Sequence, residues 1–222
     1  MNANSTLERD IGYRFRDSSL LEKALTHRSA GNWNNERLEY LGDSILGFCV
    51  AEMLFHRFPD AREGDMTRMR ARLVRGKTLA ELARSLDLQI HVKTGPGERK
   101  SGGFNRDSIL ADTFEAIVGA VYLDSGFENV SKVLLGLYEK RLTEISPDNV
   151  KDNKSRLQEQ TYRLFGELPE YSVLDQSGSE HSPVFRVVCR VNGMQAEFFA
   201  EGKSRKQAEQ KAAAQALEAL NT

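Results

Sequence analysis

The sequence predicts an all-α unit over residues 1–146 and a small α+β unit over 154–222, joined by a polar linker at 147–153. Three observations carry this division. Before residue 146, apolar residues recur at helical spacing and few stretches alternate with period two. Ser146-Pro147-Asp148-Asn149 then interrupts the pattern with a polar, proline-containing step. After it come a helical run, three strand-like runs and an alanine-rich helix, in the order α-β-β-β-α.

Ser18 and Ser19 offer an N-cap for a short amphipathic helix over 20–27. A long helical run covers 36–58, where Leu38, Leu41, Ile45, Phe48, Cys49 and Met53 keep helical spacing; Pro59 lies beyond its end. A further helical stretch covers 65–87, with a break near Gly76. Gly95, Pro96, Gly97, Gly102 and Gly103 mark a polar loop expected to be mobile. Helices follow over 107–124 and 127–145, separated at Ser125-Gly126. The second unit opens with a helix over 154–165. Strands are expected at 170–174, 184–191 and 195–200, with Asn192-Gly193 as the hairpin signal between the last two. Ser204 is the expected N-cap of the closing helix.

The chain has 222 residues, and 31 Lys and Arg stand against 32 Asp and Glu. This excludes a polycationic binder but leaves room for a local basic patch. The most apolar stretch, 45–55, is interrupted by Glu52 and falls far short of the roughly 20 apolar residues of a membrane span. The first ten residues carry no apolar core, so no signal peptide is expected. Cys49 and Cys189 are expected to be buried free thiols, with the cytoplasm as location.

The chemistry lies in the acids. With about 100° per helical residue, Glu36, Glu39 and Asp43 share a face opposite Leu38, Leu41 and Ile45. That acidic face continues into Gly47, Val50 and Leu54. A helix buried all round beyond its first turns sets its acidic end in a cleft rather than in open solvent. Asp112 and Glu115 repeat the arrangement, and Gly119 follows Glu115 by one turn as Gly47 follows Asp43. The expectation is that the two helices cross near these glycines and bring both acidic sets together. Clustered like charges need a cation. No cysteine stands near them and no Glu-x-x-His pattern is present, so an all-oxygen site for Mg²⁺, with Mn²⁺ able to substitute, is expected. Such a site activates water and neutralises charge at a phosphate.

The run Asn35-Glu36-Arg37-Leu38-Glu39-Tyr40-Leu41-Gly42-Asp43-Ser44 resembles the signature of the ribonuclease III family. Leu25-Thr26-His27-Arg28-Ser29, Glu63-Gly64, Arg70 to Val74, Lys100 to Gly103 and Ile109 to Ala116 resemble its other segments in order. Leu157-Gln158-Glu159 and Gly202 to Gln210 resemble a double-stranded-RNA-binding domain. The resemblance covers nearly the whole chain and the length of the compact bacterial members. It implies Glu39, Asp112 and Glu115 as metal ligands, Asp43 and Glu115 as the residues most needed for cleavage, and Glu36 and Glu63 as auxiliary acids. It also implies hydrolysis of duplex RNA to 5′-phosphate and 3′-hydroxyl ends by a homodimer of the helical unit, leaving short 3′ overhangs. Precursors of ribosomal RNA are the usual substrates.

A-form RNA shows a shallow minor groove lined with 2′-hydroxyls. Gln158 and Glu159 are expected to reach it, His181 to contact RNA from the loop between the first two strands, and Lys203, Ser204, Arg205 and Lys206 to meet phosphates at a helix N-terminus. His27 is expected to be a structural helix residue, while Trp33 is left without an assigned role. Two rivals are weaker: a binding module that has lost catalysis would have lost acids, and a hydrolase of small phosphates would not need the second unit.

Overall fold

The computed structural model describes residues 3–179 and 182–220. The chain divides into two units, Met1–Val150 and Lys151–Thr222. In the first, the helices are α1 (Ala3–Ile11), α2 (Ser18–Ala24), α3 (Glu36–Arg57), α4 (Glu63–Val74), α5 (Gly76–Ser85), α6 (Pro96–Lys100), α7 (Asp107–Ser125), α8 (Phe127–Glu144) and α9 (Pro147–Val150). The second contains α10 (Asn153–Phe165), β1 (Glu170–Ser179), β2 (Ser182–Arg190), β3 (Glu197–Gly202) and α11 (Arg205–Leu220). This is the predicted fold class: helices, then α-β-β-β-α.

The first unit is built around α7, which packs against α3, α5, α8 and α2. Its residues 109–111, 113, 114 and 116–121 are buried, so the helix has almost no solvent face. An amphipathic stripe would not suffice for such a position, and the sequence accordingly reads apolar all round. Tyr138 of α8 is fully buried, and its hydroxyl donates to the Leu73 carbonyl at 3.2 Å, which satisfies the polar atom this side chain carries into the core.

Several expectations shift at helix ends. Helix α1 was not foreseen; Leu7 and Ile11, one turn apart in a polar run, bury almost completely and hold it to the core. The N-cap of α2 is Asp17, whose carboxylate accepts from the Ser19 amide at 2.9 Å, so Ser18 and Ser19 lie inside the helix. That helix ends at Ala24, and His27 lies beyond it. The segment 95–106 holds α6 and a 3-10 turn, tied by an Arg106–Glu98 ion pair at 2.8 Å. Pro147–Val150, inside the expected linker, forms α9 against α4, and Arg72 donates to the Asn149 carbonyl at 2.8 Å.

In the second unit three antiparallel strands run in the order β1-β2-β3. Phe198, Ala200 and Gly202 alternate inward along β3. Ala208, Ala212, Ala213 and Ala216 of α11 are fully buried, and their small side chains let the helix lie close to the sheet. Strand β1 runs past the expected end at Leu174 to Ser179, because pairing with Ser182–Arg186 holds residues too polar to signal a strand. Asn192-Gly193 does turn the chain, with the Met194 amide bonded to the Val191 carbonyl at 3.0 Å. Pairing resumes only at Glu197, however, so the hairpin is wider than two residues.

Candidate functional site

Helix α3 starts where Asn35 is buried: its amide donates to the Thr26 carbonyl at 2.9 Å and its Nδ2 to the Ala24 carbonyl at 3.3 Å. This pins the acidic end of α3 to the segment after α2. One turn on, α3 meets α7. A Cβ at Gly42 would overlap the carbonyl oxygen of Glu115, and one at Gly119 would overlap that of Leu38. The crossing therefore needs glycine at both positions. Gly119 was foreseen and Gly42 was not; Gly47 has nothing within 4 Å and takes no part. The approach comes one residue before Asp43, rather than a turn after it.

At this crossing Glu39, Asp112 and Glu115 each offer a carboxylate oxygen, all within 4.8 Å of one another. All three are half-buried. Burial, with the charges of Asp43, Asp112 and Glu39, pushes the Glu115 carboxyl up to about 8. Burial and Asp112 raise Glu39, with Glu36 and Asp43 adding; Arg28 opposes them. Burial raises Asp112 against the charges of His27 and Arg28. Three converging carboxylates that resist ionisation suit an oxygen-liganded divalent cation, which would remove the penalty. Asp43 and Glu36 are exposed on α3 beside the cluster.

A polar cleft of about 690 Å³ opens beside these acids, lined by Arg28, Glu36, Glu39, Glu98, Arg106 and Asp112 among others. Glu63 is not brought here. It is exposed at the start of α4, accepts from the Thr67 hydroxyl at 2.7 Å, and borders an apolar groove with Phe48, Phe55 and Met66.

In the second unit, Glu159 is ion-paired with Lys151 at 2.7 Å. His181 lies outside the described residues. Ser204 accepts from the Gln207 amide at 3.2 Å and the Lys203 amide donates to Gln207 Oε1 at 2.7 Å, so the start of α11 is ordered as a cap. Arg205 pairs with Glu209 at 2.8 Å, and Lys154 of α10 pairs with the other oxygen of the same carboxylate at 2.6 Å. Burial works against ionised Glu209, but the bonds from Lys154 and Arg205 outweigh it and hold the carboxyl below its ordinary range. Lys206 is exposed. Lys211 donates to the Glu201 carbonyl at 2.9 Å. The Lys154–Glu209 link spans 55 residues and no local spacing announces it.

Residues 17–142 match a family model described as ribonuclease-III-like, and 153–220 match the double-stranded RNA binding motif. The chain is 55% identical to "Ribonuclease 3" of Vibrio atlanticus over 216 residues, which is 97% of this chain and 96% of that protein. Among solved structures, it is similar to the nuclease domain of a Campylobacter jejuni ribonuclease III, with a TM-score of 0.62 and 43% identity over 66% of this chain and all of the other. A second structure of that domain is described for flexibility in the region involved in dimer formation. A Dicer from Pichia stipitis aligns with a TM-score of 0.50 and 27% identity, covering 91% of this chain and 94% of its own. Among the described residues, no helix is long and apolar enough to cross a membrane.

Proposed function

The chain belongs to the ribonuclease III family, and on that premise we propose that it is an endoribonuclease cutting double-stranded RNA to 5′-phosphate and 3′-hydroxyl ends. The observation that carries the chemistry is the meeting of Glu39, Asp112 and Glu115 at the α3–α7 crossing. These three would hold Mg²⁺, with Mn²⁺ able to substitute, because hard cations prefer oxygen donors. When bound, the cation supplies charge neutralisation at the phosphate and lowers the pKa of water.

The protein's own residues supply the rest. Asp43, exposed beside the cluster, accepts a hydrogen bond from the attacking water and aims it in line with the scissile bond. Glu115 must give up its proton for the site to fill, so occupancy improves as pH rises toward 8. Gln158, Glu159, His181 and Lys203 to Lys206 engage the duplex, the last group through phosphates at the N-terminus of α11. Glu36 acts as an auxiliary acid beside the cluster, and Glu63, which lies away from it on α4, as an auxiliary acid in RNA engagement.

The helical unit would work as a homodimer. Phe48, Phe55 and Leu123 are more than half exposed, and Phe48 stacks edge-on against Phe127 at 5.3 Å. An exposed aromatic face of this kind suits a second copy. Two sites then face opposite strands and leave short 3′ overhangs. The join between units falls in 147–153. Precursors of ribosomal RNA and other structured transcripts are the proposed substrates. The buried free thiols of Cys49 and Cys189 suit the proposed cytoplasmic setting.

Incubating a long RNA duplex with the protein in Mg²⁺, then in EDTA, tests this. Cleavage to 5′-phosphate ends in Mg²⁺ alone is expected. An intact duplex in Mg²⁺, or equal cutting in EDTA, would overturn the reading.

A further inference from the structure

The segment His27-Arg28-Ser29 forms part of the cleft wall beside the carboxylates, and the assignments above give it no task. It is held rigidly from both sides. Thr26 bridges Lys93 in parallel, the His27 amide donates to the Lys93 carbonyl at 2.9 Å, and the Lys93 amide donates to the Leu25 carbonyl at 2.8 Å. The Gly95 amide donates to Ser29 Oγ at 2.9 Å. The Ser29 amide donates to His27 Nδ1 at 3.2 Å, so Nδ1 is an acceptor and a neutral ring carries its proton on Nε2. This much anchoring around one short exposed 3-10 turn, Arg28–Ala30, exceeds what a connector needs.

Arg28 stands on this base with a side chain 70% exposed. Its charge acts on both Glu39 and Asp112. Its ion pair with Glu36 is long, 3.8 Å, and both ends are open to solvent. The other arginine of the cleft, Arg106, is already bound to Glu98 at 2.8 Å. A phosphodiester approaching five acids is repelled until a cation meets it. An arginine fork with a loose partner is suited to do so.

We propose that Arg28 is a substrate-binding residue of the nuclease site: its guanidinium holds a non-bridging phosphate oxygen of the strand lying in the cleft, and Glu36 keeps it poised there. Glu36 is then a positioning residue acting through Arg28. The inference rests on the duplex-RNA reading above and deepens it.

The test uses the full chain with a duplex RNA. Affinity is measured in EDTA across a salt series, and single-turnover cleavage is measured in Mg²⁺. Arg28→Ala should lower the salt slope by about one unit, the amount lost with one phosphate contact. Cleavage at subsaturating RNA should fall roughly tenfold to a hundredfold, the range for a hydrogen bond to a charged group. Arg28→Lys keeps the charge without the fork, so it should restore the slope and part of the rate. Adding Glu36→Gln to Arg28→Ala should cost nothing further. A folded Arg28→Ala with unchanged slope and rate would overturn the proposal, as would a further loss on adding Glu36→Gln or an Arg28→Lys as poor as the alanine. Failure of the wild-type protein to cut duplex RNA in Mg²⁺ would instead sink the parent reading; the EDTA binding arm still decides the role of Arg28.

Discussion

Glu115 on α7 and Glu209 on α11 are both carboxylates drawn into a packed unit, and their surroundings push them in opposite directions. Glu115 faces Glu39, Asp43 and Asp112, and its carboxyl rises to about 8. Glu209 holds Lys154 and Arg205, one on each oxygen, and its carboxyl is held low. The first arrangement is incomplete by itself: the fold disfavours its charge, and a cation would offset it. The second is complete, and joins α10 to the start of α11. Burial of an acid therefore signals chemistry only where the compensating charge is missing.

The two glutamates should respond to pH with opposite sign. The raised carboxyl makes the folded, cation-free protein bind extra protons between its ordinary 4.5 and about 8. Stability of that form therefore falls as pH climbs through this window. The lowered carboxyl of Glu209 contributes stability above its ordinary 4.5, and that contribution is lost as pH falls through the lower folded value.

The largest effect expected comes from Glu115→Gln or Asp43→Asn. Either should leave RNA binding nearly intact and cut single-turnover cleavage by about a thousandfold or more, the scale of several kcal/mol of lost transition-state stabilisation. At pH 8 without cation, Glu115→Gln should also melt higher than wild type. Near wild-type cutting by either variant would remove that residue from the site.

Next comes Gly42→Ala. Its new methyl would collide with the Glu115 backbone, costing about 1–3 kcal/mol as overpacking. Displacing Glu115 by about 1 Å costs on the order of a hundredfold in rate. Gly47→Ala, with open space around it, should instead gain about 0.5–1 kcal/mol in the same helix. Thermal melts and cleavage rates of the pair separate crossing from propensity; equal behaviour would refute the crossing.

Glu209→Gln should do the reverse of Glu115→Gln. Arg205 is largely exposed and Lys154 a third exposed, so the loss is about 1–2 kcal/mol at pH 7, seen as a lower melting temperature of the second unit. A rise would show that the acid is not compensated.

The smallest effect separates two neighbours. Arg205 is occupied by Glu209 while Lys206 is exposed, so Lys206→Ala should flatten the salt dependence of duplex binding by about one unit and Arg205→Ala by less. The double change is bounded at about two units. An unchanged slope in the double variant would mean that this helix start does not meet phosphates.

Much of this was legible in the sequence, for reasons that differ by region. The i, i+3 spacing of Asp112 and Glu115, with Gly119 one turn on among apolar residues, marked this stretch of α7 in the sequence. The same spacing logic chose Gly47 over Gly42, because it counted from the acids and could not see where two helices touch. His27 read as helical because its run was amphipathic; in the structure its Nδ1 caps a turn through the Ser29 amide instead. The tail of β1 is too polar to announce itself, and only pairing with β2 makes it a strand. Contacts between distant residues, such as Lys154 with Glu209, have no local signal at all.

On the proposed function, the acids at the α3–α7 crossing hold a divalent cation through an ionised Glu115. Calorimetric titration of Mg²⁺ or Mn²⁺ in two buffers of different ionisation enthalpy counts the protons released on binding. At pH 7 a carboxyl near 8 is mostly protonated, so wild type should release roughly one proton per cation, falling toward zero above pH 9. Glu115→Gln should bind weakly and release almost none. Failure of wild type to bind the cation, or equal proton release by the two proteins at pH 7, would contradict it.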